Sequence, residues 1–235
     1  ARTVVRDAAA AVPGAGEVHL EWDAEEDWAD AWRAGFERLV VSERLAVAAP
    51  WNAEAGDLVI EPGMAFGTGE HPTTRACLRG VDRHAVAGQT LLDVGCGTGV
   101  LALAGARFGM RVSGIDIDPA AVTASDDNAA RNGLTGAFSA QPLSALGGRF
   151  QLVVANIFAE VLVTMADDLA RLCAGRLCLA GILADRAHLA LGWPVEIEIL
   201  RFAVLKCFFR AALTSSRVSS SIILRKCSRW GSSRP

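Results

Sequence analysis

From Thr90 onward the chain alternates short apolar runs with longer stretches whose apolar residues recur at helical spacing. Thr90 to Val94 is such a run, and it enters a glycine-rich turn, Gly95 to Gly99. Val100 to Phe108 then reads as a helix closed by Gly109, and Arg111 to Asp116 as the next strand. Asp118 is placed to cap a helix with Pro119 at its first position, where a missing N–H costs nothing. Asn132-Gly133 is its stop signal, so the helix should run to about Arg131. Phe150 to Asn156 predicts a buried strand, Glu160 to Leu172 a helix, and Arg176 to Ala180 another strand. Strands that are apolar on both faces, alternating with helices, predict a parallel sheet covered on both sides. The expected fold class is therefore α/β, doubly wound, with a mostly parallel sheet. Beyond about Gly192 the pattern is lost.

The first part of the chain is patterned differently. Trp28, Trp32 and Phe36 share one face of a helix, which reads as packing against the main domain. Arg44 to Ala48 and Leu58 to Ile60 look like short strands around a turn from Pro50 to Asp57. A loop from Glu61 to His71, rich in glycine, ends at Pro72, where a helix should begin with Thr73 and Thr74 in its first turn.

Composition narrows the class. With 51% hydrophobic and 21% charged residues, a 235-residue chain forms a sizeable core. The net charge of −3 hides an asymmetry: eight Lys/Arg and no acid after Leu200, against 15 basic and 26 acidic residues before it. An acidic body is not a general nucleic-acid binder, and only the basic segment could touch RNA. The six cysteines form no CxxC pair and lack the histidine spacing of a zinc site, so no metal is expected. Reduced thiols suit a cytoplasmic protein. No apolar stretch is long enough to span a membrane, and Ile197 to Leu213 is broken by four charges.

The chemistry concentrates in three blocks. A strand entering Gly95-x-Gly97-x-Gly99 makes a turn without Cβ atoms, so a ligand can approach the backbone at Gly95 and Gly97. Asp116, at the end of the next strand, is placed to accept hydrogen bonds from a ribose diol. A dinucleotide site spaces its glycines G-x-G-x-x-G and seats a pyrophosphate on the helix N-terminus. Here the spacing differs, and Asp93 precedes the loop, where an acid suits the cationic groups of S-adenosylmethionine and would repel a pyrophosphate. In the second block, Thr74 can reach a ligand, while His71 is either a general base or a loop-stabilising residue. In the third, Asn156 ends a parallel strand on the ligand-binding edge and either orients an amine or serves the turn.

Together these blocks resemble the bacterial methyltransferase family that acts on large-subunit ribosomal protein eleven. The resemblance spans roughly Glu26 to Arg186. It rests on Asp27-Trp28-Ala29 with Trp32, and on Pro62 to Gly69 followed by His71-Pro72-Thr73-Thr74. It continues through Leu92 to Gly99, Gly114 to Pro119, Asp127-Asn128-Ala129, Arg131-Asn132-Gly133 and Val154 to Ile157. The stretch from Ala65 to Thr74 is the most diagnostic. The resemblance implies a seven-stranded sheet of the class I, Rossmann-like S-adenosylmethionine methyltransferase type. It also implies donor contacts at Thr74, Gly95, Asp116 and Asn156. Family members carry a small recognition domain ahead of the Asp-Trp segment, whereas about 25 residues precede it here. Residues 1–50 thus read as a linker with part of the recognition region, 51–200 as the catalytic domain and 201–235 as a basic segment unlike the family.

The expected reaction is in-line transfer of the sulfonium methyl group to an amine nitrogen of a ribosomal protein, by a monomer, with Asn156 orienting the amine. His71 and Glu70 are weak general-base candidates. Methylation of another protein or a small molecule, a donor-binding module without catalysis, and a dehydrogenase stand as alternatives.

Overall fold

The computed structural model describes residues 36–62 and 71–181, with the backbone of two later strands, 196–201 and 222–226. The helix expected around Trp28 and Trp32, the block from Gly63 to Glu70, and most of the basic segment lie outside the described residues.

A small sheet comes first. β1 (Leu39–Ser42) pairs antiparallel with β2 (Leu45–Ala48), and β3 (Leu58–Val59) lies parallel to β2. The first of these strands is not among the expected elements. Only Leu39 of its four residues is buried, so it carries almost no periodic signal. Asp57 accepts two hydrogen bonds from the Arg38 guanidinium, at 2.6 and 2.7 Å, and one from the Glu54 N–H at 2.8 Å. That fork ties the start of β1 to the turn before β3 and holds the Asp57 carboxyl below the usual carboxylate range.

Among the described residues the second sheet has seven strands. α1 (Pro72–His84) leads to β4 (Thr90–Val94), α2 (Val100–Arg107), β5 (Arg111–Ile115), α3 (Pro119–Arg131) and β6 (Ala137–Ser139). After a 3-10 turn at Leu143–Ala145 come β7 (Phe150–Asn156), α4 (Ala159–Thr164), α5 (Ala166–Leu172), β8 (Cys173–Ala180), β9 (Glu196–Arg201) and β10 (Ile222–Lys226). The order is β10-β9-β8-β7-β4-β5-β6, and every neighbouring pair is parallel. The chain runs outward from β4 in one direction to β6, then returns to β7 and builds the other way. A crevice at the carboxyl ends of β4 and β7 follows from that reversal.

Alternation along β4 feeds both cores. Leu91 packs with Leu78, Leu103 and Val154 on one face, and Leu92 and Val94 with Val153, Leu169 and Leu172 on the other. Truncating one such buried leucine to alanine costs about 2–5 kcal/mol. The helix expected over Glu160 to Leu172 is two helices that meet at Met165. The Thr164 hydroxyl donates to the Val161 carbonyl at 2.8 Å, and the Met165 N–H bonds to Leu162, a tight turn where the longer helical bond would fall.

α3 closes one edge of the small sheet with side chains instead of a strand. Asn132 Oδ1 accepts from the Val59 N–H at 2.8 Å, and its Nδ2 donates to the Val59 carbonyl at 2.6 Å. Asn132→Ala removes the partners of both the Val59 N–H and the Val59 carbonyl. It should lower stability by about 2 kcal/mol, read as a lower urea midpoint with an unchanged slope.

Candidate active site

The turn after β4 holds its shape because its amides are consumed within the protein. Gly95 and Cys96 both donate to the Ile115 carbonyl, at 2.8 and 3.0 Å. Gly97 N–H donates to Asp116 Oδ2 at 2.9 Å, and Gly99 N–H to the Cys96 carbonyl at 2.8 Å. A pyrophosphate on a glycine loop needs such N–H groups free. Here those of Gly95, Cys96, Gly97 and Gly99 are already engaged.

Asp93 corrects one expectation. It does not face a ligand: it is fully buried, on the same side of β4 as Leu91 and beneath α2. Its Oδ2 accepts from the Ala102 N–H at 3.1 Å, in the first turn of α2, and its Oδ1 has no hydrogen-bond partner. Strand alternation explains the placement, since residues 91 and 93 point the same way. Burial pushes its pKa up to about 7, against the pull of the Ala102 N–H and with a smaller push from Asp116. Cys96, in the loop, is pushed up to about 12 chiefly by burial and stays a thiol.

The expected site residues fall into two hydrogen-bonded pairs. Asp116, half-buried after β5, accepts from Gly97 through one oxygen and from the Asp118 N–H through the other, at 3.1 Å. Thr74 is 1% exposed in the first turn of α1, and Asn156 Nδ2, at the end of β7, donates to its Oγ1 at 3.1 Å. Gly95 stands between the pairs: a Cβ there would lie 2.6 Å from Ile157 Cγ2, so the two carboxyl ends touch. His71 caps α1, its Nδ1 accepting from the Thr73 N–H at 3.3 Å, which is the loop-stabilising alternative of its two. Glu70 lies outside the described residues.

Four residues at this edge were not among the expected site residues, although Ile117 and Asn128 lie in stretches that carry the resemblance. Ile117 and Phe158 follow Asp116 and Asn156 and are 90% and 76% exposed, an apolar surface beside each polar pair. Ser125 and Asn128 reach the loop from α3. Isolated apolar residues in turns and polar residues on helices carry no signal of their own. A cavity of about 280 Å³ beside His84, Gln151 and Arg176 lies toward the amino ends of the strands and includes none of the expected residues.

A doubly wound parallel sheet with this loop, and an acid at the end of the next strand, defines the class I, Rossmann-like S-adenosylmethionine methyltransferase fold. The model of the ribosomal protein L11 methyltransferase (PrmA) family matches residues 3–191, and the chain belongs to that family. It is similar to the ribosomal protein L11 methyltransferase of Geobacter metallireducens, 48% identical over 69% of this chain and 56% of that protein. The namesake from Thiobacillus denitrificans is 45% identical over 72% of this chain and 59% of its own length. The chain thus spans less than two thirds of these curated relatives. Among solved structures, ribosomal protein L11 methylase from Lactobacillus delbrueckii subsp. bulgaricus has a TM-score of 0.57 at 33% identity, covering 62% of this chain and 80% of that one. No helix among the described residues is long and apolar enough to cross a membrane.

The Asp93 proton gives a pH test. The folded carboxyl keeps its proton to about pH 7, whereas the unfolded chain releases it near pH 3.9. Between those values the folded state binds the extra proton, so the contribution of Asp93 is full below about pH 4 and is lost as pH rises through 7. Wild type should therefore lose stability relative to Asp93→Asn between pH 5 and about 7.5, measured as urea midpoints. A difference that stays constant over that range would contradict this assignment.

Proposed function

We propose that the chain is an S-adenosylmethionine-dependent N-methyltransferase whose acceptor is an amine of ribosomal protein L11, a lysine ε-amine or the N-terminal α-amine. One observation carries the donor assignment: a glycine loop with its N–H groups spent internally, beside a half-exposed Asp116 carboxylate. That arrangement fits a nucleoside without phosphate and does not fit a dinucleotide. Membership of the L11 methyltransferase family supports the acceptor.

When bound, S-adenosylmethionine supplies a sulfonium methyl group, a strong electrophile. Each Asp116 oxygen already accepts one N–H and keeps lone pairs for ribose hydroxyls. Gly95 and Gly97 let the ligand lie against the backbone, and Ile117 offers apolar surface for the base. Thr74 is the second donor contact, held by Asn156. Because the Asn156 Nδ2 is directed at Thr74, its Oδ1 is the atom that accepts an amine N–H and turns the nitrogen lone pair toward the methyl group. Orientation of this kind supplies roughly 7–11 kcal/mol in favourable cases. A lysine amine, with a pKa near 10.4, must first lose a proton, and solvent can take it. Cys77, Cys96, Cys173 and Cys178 are buried as reduced cysteines, which supports a cytoplasmic setting.

The direct test is incubation with radiolabelled donor and L11, with and without prior chemical blocking of its amines. Label should enter only unblocked L11; no transfer to it would remove the acceptor assignment. Asp116→Ala should weaken donor binding by about 10–100-fold in calorimetry, the equivalent of one or two charge-assisted hydrogen bonds, while circular dichroism stays native. Asn156→Ala should lower kcat about 100-fold with a smaller change in acceptor KM, the pattern of an interaction made mainly in the transition state.

A further inference from the structure

The stretch Asp127-Asn128-Ala129 has been given no role in donor binding so far, yet α3 touches the glycine loop through its Asn128. Ser125 and Asn128 lie one turn apart on its inner face, and both are buried. Ser125 Oγ donates to the Gly97 carbonyl at 3.0 Å, and Asn128 Nδ2 to the Thr98 carbonyl at 3.0 Å. The Asn128 Oδ1 is also in use, accepting from the Glu61 N–H just beyond β3 at 2.9 Å. Helix and loop are in close contact: a Cβ on Gly99 would stand 2.9 Å from Ser125 Oγ and 3.2 Å from Ser125 Cα.

We infer that Ser125 and Asn128 are positioning residues for donor binding, acting by clamping two consecutive carbonyls of the glycine loop. The inference rests on the donor assignment above. A turn with glycines at φ 73°, 56° and 79° is held by no side chain of those residues, and glycine has the most conformational freedom to lose. Fixing the Gly97 and Thr98 carbonyls from α3 fixes the peptide planes between them. The Gly97 N–H is thereby kept on Asp116, and that carboxylate is kept facing the loop. A loop released from the clamp spends part of its time in other conformations, and apparent donor affinity falls by the fraction that remains competent.

Two variants separate this role from packing. Ser125→Ala removes one clamp without adding charge. Asn128→Asp keeps an acceptor for Glu61 but loses the N–H donor to Thr98. Calorimetry with S-adenosylmethionine at pH 8 should show affinity lowered about fivefold in Ser125→Ala, the equivalent of one hydrogen bond of ~1 kcal/mol. The loss in Asn128→Asp should be about tenfold or more, since it also places a charge against a carbonyl. Acceptor KM at saturating donor should not change in either. As pH falls toward 5.5 the introduced carboxyl, its pKa raised by burial, takes up a proton it can donate to Thr98. Donor affinity of Asn128→Asp should then recover toward wild type, a profile that lost packing does not produce. Wild-type affinity in both variants overturns the inference. So does a loss in Asn128→Asp that fails to recover at low pH while Ser125→Ala binds normally. Failure of the wild-type chain itself to bind the donor overturns instead the donor assignment beneath it.

Discussion

The Ile115 carbonyl accepts hydrogen bonds from both Gly95 and Cys96, and that shared contact joins the end of β5 to the turn after β4. Asp116 is the next residue in the chain, so the same contact delivers its carboxylate to Gly97. A glycine turn has little preferred conformation, and buried backbone amides left unpaired each cost about 1–3 kcal/mol. The loop satisfies that demand with groups from β5, from the turn that follows it and, for Gly99, from its own Cys96 carbonyl. The position of the acid is therefore a consequence of pairing the amides. Everything proposed for the donor depends on this arrangement, because it fixes which groups still face outward.

Where an element had two independent signals, the sequence was legible. α3 begins with an Asp118 cap and a proline and ends at Asn132-Gly133, and it occupies Pro119–Arg131 as expected. β7 carries an unbroken apolar run from Leu152 to Ala155 and matches Phe150–Asn156. Where the outcome depended on a competition between weak terms, periodicity misled. Residues 160–172 have helical spacing throughout, but the Thr164 hydroxyl offers the Val161 carbonyl another donor, and two short helices result. β6 has no buried residue, so it was not seen.

The candidate site divides along the same line. Thr74, Gly95, Gly97, Asp116 and Asn156 all stand at strand ends or in the turns and first helical turns beside them, where topology alone converges them. Sequence position carries that much. It does not say which way a side chain points across a strand when both faces are buried, and Asp93 shows the consequence. An acid at a strand end reads as a ligand contact until the fold shows that alternation turns it under α2.

That burial nonetheless sharpens the choice of ligand. The N-terminus of a helix carries roughly half a positive charge, which is what attracts phosphate to glycine loops of dinucleotide sites. In this chain an acid already occupies that position from below, bonded to Ala102. Near neutral pH, with a pKa of about 7, its charged form is substantially populated and offsets the helix charge. An anion above the loop would meet amides mostly engaged within the protein and a helix end with an acid beneath it. A cationic sulfonium meets no such obstacle, and its approach favours the ionised form of Asp93. The expectation that Asp93 itself meets the ligand therefore gives way to a buried acid that supports the helix after the loop.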